Sequence, residues 1–187
     1  MNVSKIELIY NPKQNHQLYT PVILTASLLA EDDQQRITIR STEDKIQNVN
    51  AGVDLVFDSK PLNQQLKPFS ICQLLVQIAT KSTSLYSSVD LLQINLLVDL
   101  IESSANNLND LITNFDNQLI NKKYLIGSNL TLADLFLWSR LAYLDNQILD
   151  KLDRLKKWFK RVENDLKNVL NFLSLYKQRS KLILILI

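Results

Sequence analysis

Residues with the means to do chemistry are few and scattered in this chain. Among its 187 residues there is one histidine, His16, and one cysteine, Cys72. No internal disulfide or thiolate metal cluster can therefore form, and most zinc sites go with them. His16 sits in the polar stretch "NPKQNHQLY", followed closely by Tyr19; a histidine among amides reads as a surface residue. Cys72 lies beside Ile71 and Leu75 on the apolar side of a helical stretch, the setting of a buried structural thiol. The carboxylates Asp32, Asp33, Glu43 and Asp44 fall in loop-like sequence without metal-binding spacing. With only two glycines, neither of the phosphate-cradling patterns G-x-G-x-x-G and G-x-x-x-x-G-K can exist.

The densest charge is the run Lys151, Arg154, Lys156, Lys157, Lys160, Arg161 and Lys167, whose side chains could meet phosphates. Interleaved Asp150, Asp153, Glu163 and Asp165 dilute it, and Trp158 and Phe159 fall on an apolar stripe where they cannot stack on bases. A net charge of +2 is too mild for a dedicated nucleic-acid domain. An apolar fraction of 46% supplies the core of one ordinary domain or of two small ones. The N-terminus lacks an apolar leader, and the "LILILI" at 182–187 is too short to span a bilayer. The expectation is a protein of a reducing compartment, cytoplasmic or membrane-associated in its full-length form.

The elements change character along the chain. Lys5–Tyr10 and Arg36–Ser41 alternate as strands, with Leu18, Val22, Leu24, Leu28 and Leu29 at helical spacing between them. Val53–Phe57 reads as a third strand, "DSKP" as a turn, "LNQQ" as a weak edge strand, and a helix starts at Pro68. This makes 1–81 an α/β, thioredoxin-like half. Residues 82–90 read as a linker, and 91–176 as an all-α half. Its expected core stripes are Val89, Leu92, Leu96, Leu97 and Leu100, then Leu108, Leu111, Ile112, Phe115, Leu119 and Ile120. A later helix from about Asp150 to Glu163 turns Leu152, Leu155, Trp158, Phe159 and Val162 inward, and another runs from about Asp165 to Tyr176. Residues 177–187 read as an apolar tail or the start of a linker to a missing domain.

One segment carries denser information, "YLIGSNLTLADLFLWSRL" at 124–141. Gly127 suits a turn, Thr131 an N-cap, and Asp134 the N3 position of a capping box. Leu130 and Leu135 stand at the N′ and N4 spacing of a hydrophobic staple. The helix beyond is apolar on nearly every side, as one buried among others would be.

Tyr124, Leu125, Gly127, Leu130, Thr131, Ala133 and Asp134 resemble the pattern that opens the buried sixth helix of the glutathione-transferase (GST) superfamily. The strand-and-helix half before it and "LDRLKKWFKRVE" after it extend the resemblance over the whole chain. It implies a GST-like fold, but the residues a working transferase needs are replaced. "NPKQNHQLY" offers His16 and Tyr19 but no thiolate-stabilising residue beside the first strand; "NVNAGVDLVF" has no proline before the third; Leu66 and Lys67 stand for the acid and serine after the fourth. The expectation is therefore no catalysis and no cofactor.

Within the superfamily, the branch without a glutathione site serves as assembly modules of translation, in aminoacyl-tRNA synthetases, their scaffold proteins and elongation-factor exchange subunits. The chain resembles most the N-terminal domain of a parasite tRNA-import protein. That likeness implies a homodimer, synthetase partners with GST-like domains, and tRNA held by a further C-terminal domain. It also implies two joining surfaces, one of the thioredoxin-like half with the first long helix of the helical half, which generates dimers, and one across a near two-fold axis at "YLDNQILDKLDRLKKW", which would use Asp145, Arg154, Tyr143 and Lys157. The alternatives are a divergent glutathione transferase or an elongation-factor gamma-type subunit.

Overall fold

The computed structural model describes residues 4–11, 16–33, 35–42, 53–62, 66–79, 84–104, 107–144 and 146–172. The chain divides into two compact units, Met1–Ser82 with Asn168–Ile187, and Thr83–Lys167.

In the first unit, β1 (Ile6–Tyr10) pairs in parallel with β2 (Ile37–Ser41) and antiparallel with β3 (Val53–Phe57), which pairs antiparallel with β4 (Lys60–Pro61). The order is β2-β1-β3-β4. The period-2 pattern of β1 buries Ile6, Leu8 and Tyr10, while Glu7 and Ile9 stay half-buried on the other face. The parallel β1–β2 pair needs a crossover, supplied by α1 (His16–Asp32), which packs on β2 and on α2 (Pro68–Ile78). Pro68 opens α2, where its missing N–H costs nothing. Leu18, expected in the core, is exposed; Val22, Leu24 and Leu29 are wholly buried.

The β3–β4 hairpin is tighter than the expected "DSKP" turn. Asp58 and Ser59 alone form the loop, with φ of 47° and 68°, and Lys60–Pro61 already pair with Val56 and Phe57. Both central residues of such a two-residue turn take positive φ to match the twist of the strands. The Asp58 carboxylate also accepts the Ser4 and Lys5 backbone N–H groups at 3.0 and 2.8 Å, tying the turn to the start of β1. The Ser4 hydroxyl first, then these backbone donors, hold its pKa below the ordinary 3.8. Of the expected edge strand "LNQQ", Leu62 follows β4 and the remainder lies outside the described residues.

The second unit contains a short 3-10 turn at Ser84–Tyr86, then α3 (Leu91–Ser103), α4 (Leu108–Gln118), α5 (Leu132–Leu141), α6 (Asn146–Leu149) and α7 (Asp153–Asp165). Both α3 and α7 pack on α5, and α4 and α6 pack on α7. All of α5 except Arg140 is buried. The α4 stripe buries Leu111, Ile112, Phe115 and Leu119 as expected, but Ile120 is exposed. Among the described residues α7 is followed by α8 (Lys167–Phe172), which from Asn168 onward belongs to the first unit, and residues 173–187, with the expected end of this helix at Tyr176 and the apolar tail, lie outside the described residues. Among the described residues no helix is long and apolar enough to cross a membrane.

Candidate functional site

The α7 helix owes its place to α5. Thr131 and Asp134 form the reciprocal capping box at the start of α5. There Asp134 Oδ2 accepts the Thr131 backbone N–H at 3.0 Å and its hydroxyl at 2.8 Å. The other oxygen, Oδ1, reaches further, accepting the Leu125 N–H and the Trp158 indole N–H, both at 2.9 Å. Burial pushes the Asp134 carboxyl above its ordinary 3.8, while these donors pull it back. One carboxylate thus joins the loop before α5, the helix N-terminus and the middle of α7. Gly127 gives that loop its φ of 62°. Leu135 is wholly buried and Leu130 half-buried. The link is reinforced by Trp138, whose ring stacks on Phe159 with centroids 5.6 Å apart, and by the Tyr124 hydroxyl, which donates to Asp165 at 2.5 Å.

On α7 the apolar side chains Leu155, Trp158, Phe159 and Val162 are buried, so Arg154, Lys157 and Lys160 face outward. Asp116 of α4 serves as a cap supplied from another helix: its Oδ1 accepts the Leu155 N–H at 2.8 Å, and its Oδ2 pairs with Arg154 Nη1 at 3.2 Å. Arg154, expected to meet an aspartate across a two-fold axis, thus holds one within its own chain and remains 49% exposed. Lys156 pairs with Asp150 at 2.6 Å, and Arg161 donates to the Lys123 carbonyl at 2.7 Å. Of the other expected interface residues, Tyr143 is half-buried and Lys157 exposed. Asp145 lies outside the described residues.

The largest departure from expectation is on α3. Its core face is Ile94, Val98 and Ile101. Of the residues read as the core stripe, Val89 is 90%, Leu92 69%, Leu96 61% and Leu100 42% exposed, and Leu97 is half-buried. The sequence "LLQINLLVDLI" is apolar on both sides of a helix, so periodicity could not say which side packs on α5. Arg140 of α5 settles the C-terminal end by donating from Nη1 to the Ile101 carbonyl at 3.0 Å. The result is a row of exposed leucines at i, i+4 and i+8.

In the first unit, Tyr19, Leu66, Lys67 and Pro68 line an open cleft of about 380 Å³. The Tyr19 side chain is buried, which raises its phenol above the ordinary 10.0. His16 starts α1. Cys72 is wholly buried, with the Thr25 hydroxyl 3.5 Å from its sulfur. Asp32 ends α1 and Asp33 follows it, whereas Glu43 and Asp44 lie outside the described residues.

Residues 100–174 match the model of the family described as glutathione S-transferase, C-terminal domain. A chain from crystal structures of two yeast aminoacyl-tRNA synthetase sub-complexes is similar over 97% of this chain and 97% of its own, with a TM-score of 0.64 and 19% identity. The fold is GST-like. A Drosophila melanogaster glutathione S-transferase, isozyme E7, gives 0.68 at 15% identity over 94% of this chain and 95% of that one. An epsilon-class glutathione S-transferase from the housefly, Musca domestica, gives 0.60 at 15% identity, covering 94% and 91%. No curated protein sequence matches.

Among the described residues the cleft is lined by the Lys67 ammonium and the Tyr19 phenol, and the second unit presents exposed apolar residues on α3 and a charged face on α7. Asp116, whose carboxylate joins α4 to the start of α7, carries no signal in the local sequence, because its partners lie 38 and 39 residues away.

Proposed function

We propose that this chain is a non-catalytic GST-like assembly module of the translation machinery. In this reading it recruits aminoacyl-tRNA synthetases that carry GST-like domains. It is a cytoplasmic protein, and tRNA is held by a further domain, as in a parasite tRNA-import protein. The observation that carries the reading is the leucine row on α3, since large apolar side chains set out along a helix mark a protein–protein contact. The likeness to a chain of yeast synthetase sub-complexes over nearly its full length supports the choice of partner class. Self-association belongs to the α7 face. Arg154 uses only Nη1 on Asp116 and keeps guanidinium donors for a second carboxylate, with Lys157 exposed one turn on.

The test is capture of purified synthetases bearing GST-like domains by the immobilised chain, with sedimentation of the free chain alongside. Capture is expected, together with a dimer that Arg154→Ala weakens. A divergent transferase is the second reading, favoured by the buried Tyr19 phenol beside the cleft. Thiol conjugation with glutathione that Tyr19→Phe abolishes, without synthetase capture, would replace the first reading by the second.

A further inference from the structure

We infer that Lys122 and Lys123, in the turn after α4, join Lys157, Lys160 and Arg161 of α7 in one basic surface that holds the phosphate backbone of double-helical RNA without reading its bases. The choice of RNA rests on the assembly reading in translation; the phosphate chemistry does not. The first ground is how the fold gathers the cations. Asn121, at a φ of 59°, takes the left-handed conformation that ends a helix and turns the chain, and the Lys122 N–H donates to the Leu119 carbonyl at 3.2 Å. Arg161 then donates from Nη1 to the Lys123 carbonyl at 2.7 Å, which fixes this turn against α7. The Lys123 ammonium lies 5.1 Å from the centre of the Tyr124 ring. Lys157 stands one turn before Arg161, and Lys122, Lys123, Lys157 and Lys160 are all exposed.

The second ground is where the acids go. In the sequence, Asp150, Asp153, Glu163 and Asp165 dilute the basic run. In the structure Asp150 pairs with Lys156 at 2.6 Å and Asp165 accepts the Tyr124 hydroxyl. Glu163 is half-buried and, two residues from Arg161, lies on a different side of the helix. Asp153 remains exposed at the N-terminal end of α7, where the helix dipole favours it. Positive charge is therefore in excess from Lys157 onward and at the turn beside it.

The third ground decides the ligand. Carboxylates are held best by the fork of an arginine, but Arg154 and Arg161 both spend Nη1 within the chain. What reaches solvent is a set of lysines, point charges suited to phosphates spaced along a backbone. The aromatic residues of this region, Tyr124, Trp158 and Phe159, are buried, so they cannot stack on unpaired bases. A double helix, with its bases already stacked and its phosphates outward, fits such a surface better than a single strand. A membrane is the poorer match, because no exposed position of α7 is apolar and Ile120 alone is exposed beside the lysine pair.

The test is fluorescence anisotropy of two labelled RNA hairpins with unrelated stems, titrated with the whole chain. Both are expected to bind alike, with log K falling against log salt at a slope of about −3. Lys122→Ala combined with Lys123→Ala should weaken both roughly tenfold and make the slope shallower by about two. Lys160→Glu should also weaken both. Lys5→Ala combined with Lys60→Ala removes the same charge from exposed sites of the first unit and should leave binding unchanged. Circular dichroism should show unchanged helicity in every variant. Binding of neither hairpin, or a strong preference for one stem, overturns the inference. So does an equal loss in the two double variants, since net charge alone would then account for binding. A single strand held more tightly than the hairpins, or phosphatidylserine vesicles held where hairpins are not, overturns it as well. Synthetase capture reports on the assembly reading separately. That reading survives when wild type captures synthetases but no hairpin, and fails by itself when the hairpins bind as described and no synthetase is captured.

Discussion

Helices α3 and α5 are written in nearly the same alphabet and end in opposite surroundings. "LADLFLWSRL" is buried at every position but Arg140, whereas "LLQINLLVDLIES" buries Ile94, Val98 and Ile101 and exposes Leu91, Leu92, Leu96 and Leu100. The difference lies in what surrounds each helix. α5 has α3 and α7 against it, and its one acid is consumed by four donated hydrogen bonds. α3 packs on α5 alone to that extent, and Asp99 remains on its open side. An apolar helix is therefore a core element only where neighbours enclose it; otherwise the same residues become a docking face.

The sharpest way to break this comparison is a pair of matched truncations. Leu135→Ala on α5 should cost roughly 2–5 kcal/mol, since a cavity opens in a closed core. Leu96→Ala on α3 should stay within about 0.5 kcal/mol. Urea unfolding of the two variants decides it, and equal losses would mean that the α3 row is packed in solution. Next in size, Asp134→Asn should cost about 1–3 kcal/mol, because an amide keeps one acceptor but turns a donor toward the Thr131 N–H. A change in the indole fluorescence of Trp158 should accompany it.

Gly127→Ala should cost roughly 1–2 kcal/mol in the same unfolding assay. A Cβ there would meet no atom within 4 Å, so the loss would come from the φ of 62° alone. The smallest effect concerns pH. Burial, with the Asp165 hydrogen bond next, raises the Tyr124 phenol from 10.0 to about 12. A group whose pKa is raised on folding stabilises fully below its unfolded value and loses that contribution as pH climbs through the folded one. The stability difference between wild type and Tyr124→Phe should thus shrink between about pH 10 and pH 12. A constant difference across that window would mean that the Tyr124–Asp165 bond does not persist in solution.

Much of the fold was legible because its signals are local. The alternation of β1, Pro68 at the start of α2, Gly127 and the Thr131–Asp134 box each act within a few residues, and each is where the sequence implied. The second half of the Asp134 role was not legible, because the Trp158 indole arrives from 24 residues downstream. The Arg154–Asp116 pair spans 38 residues and joins two helices whose contact no local pattern encodes. Leu18 and Ile120 were misplaced for a related reason, since each stands at the margin of a stripe where helical spacing is obeyed but no neighbour closes over it.

By itself the sequence determined the strand alternation of β1, the cap and turn that start α5, and the presence of a single histidine and a single cysteine. The first two are properties of residues within one or two turns of each other, governed by backbone geometry and short-range hydrogen bonding. Only the tertiary structure decided which face of α3 is core, which carboxylate Arg154 holds and where Asp134 sends its second oxygen. Each of those depends on which helices are neighbours, and that is set by the packing of side chains far apart in the chain.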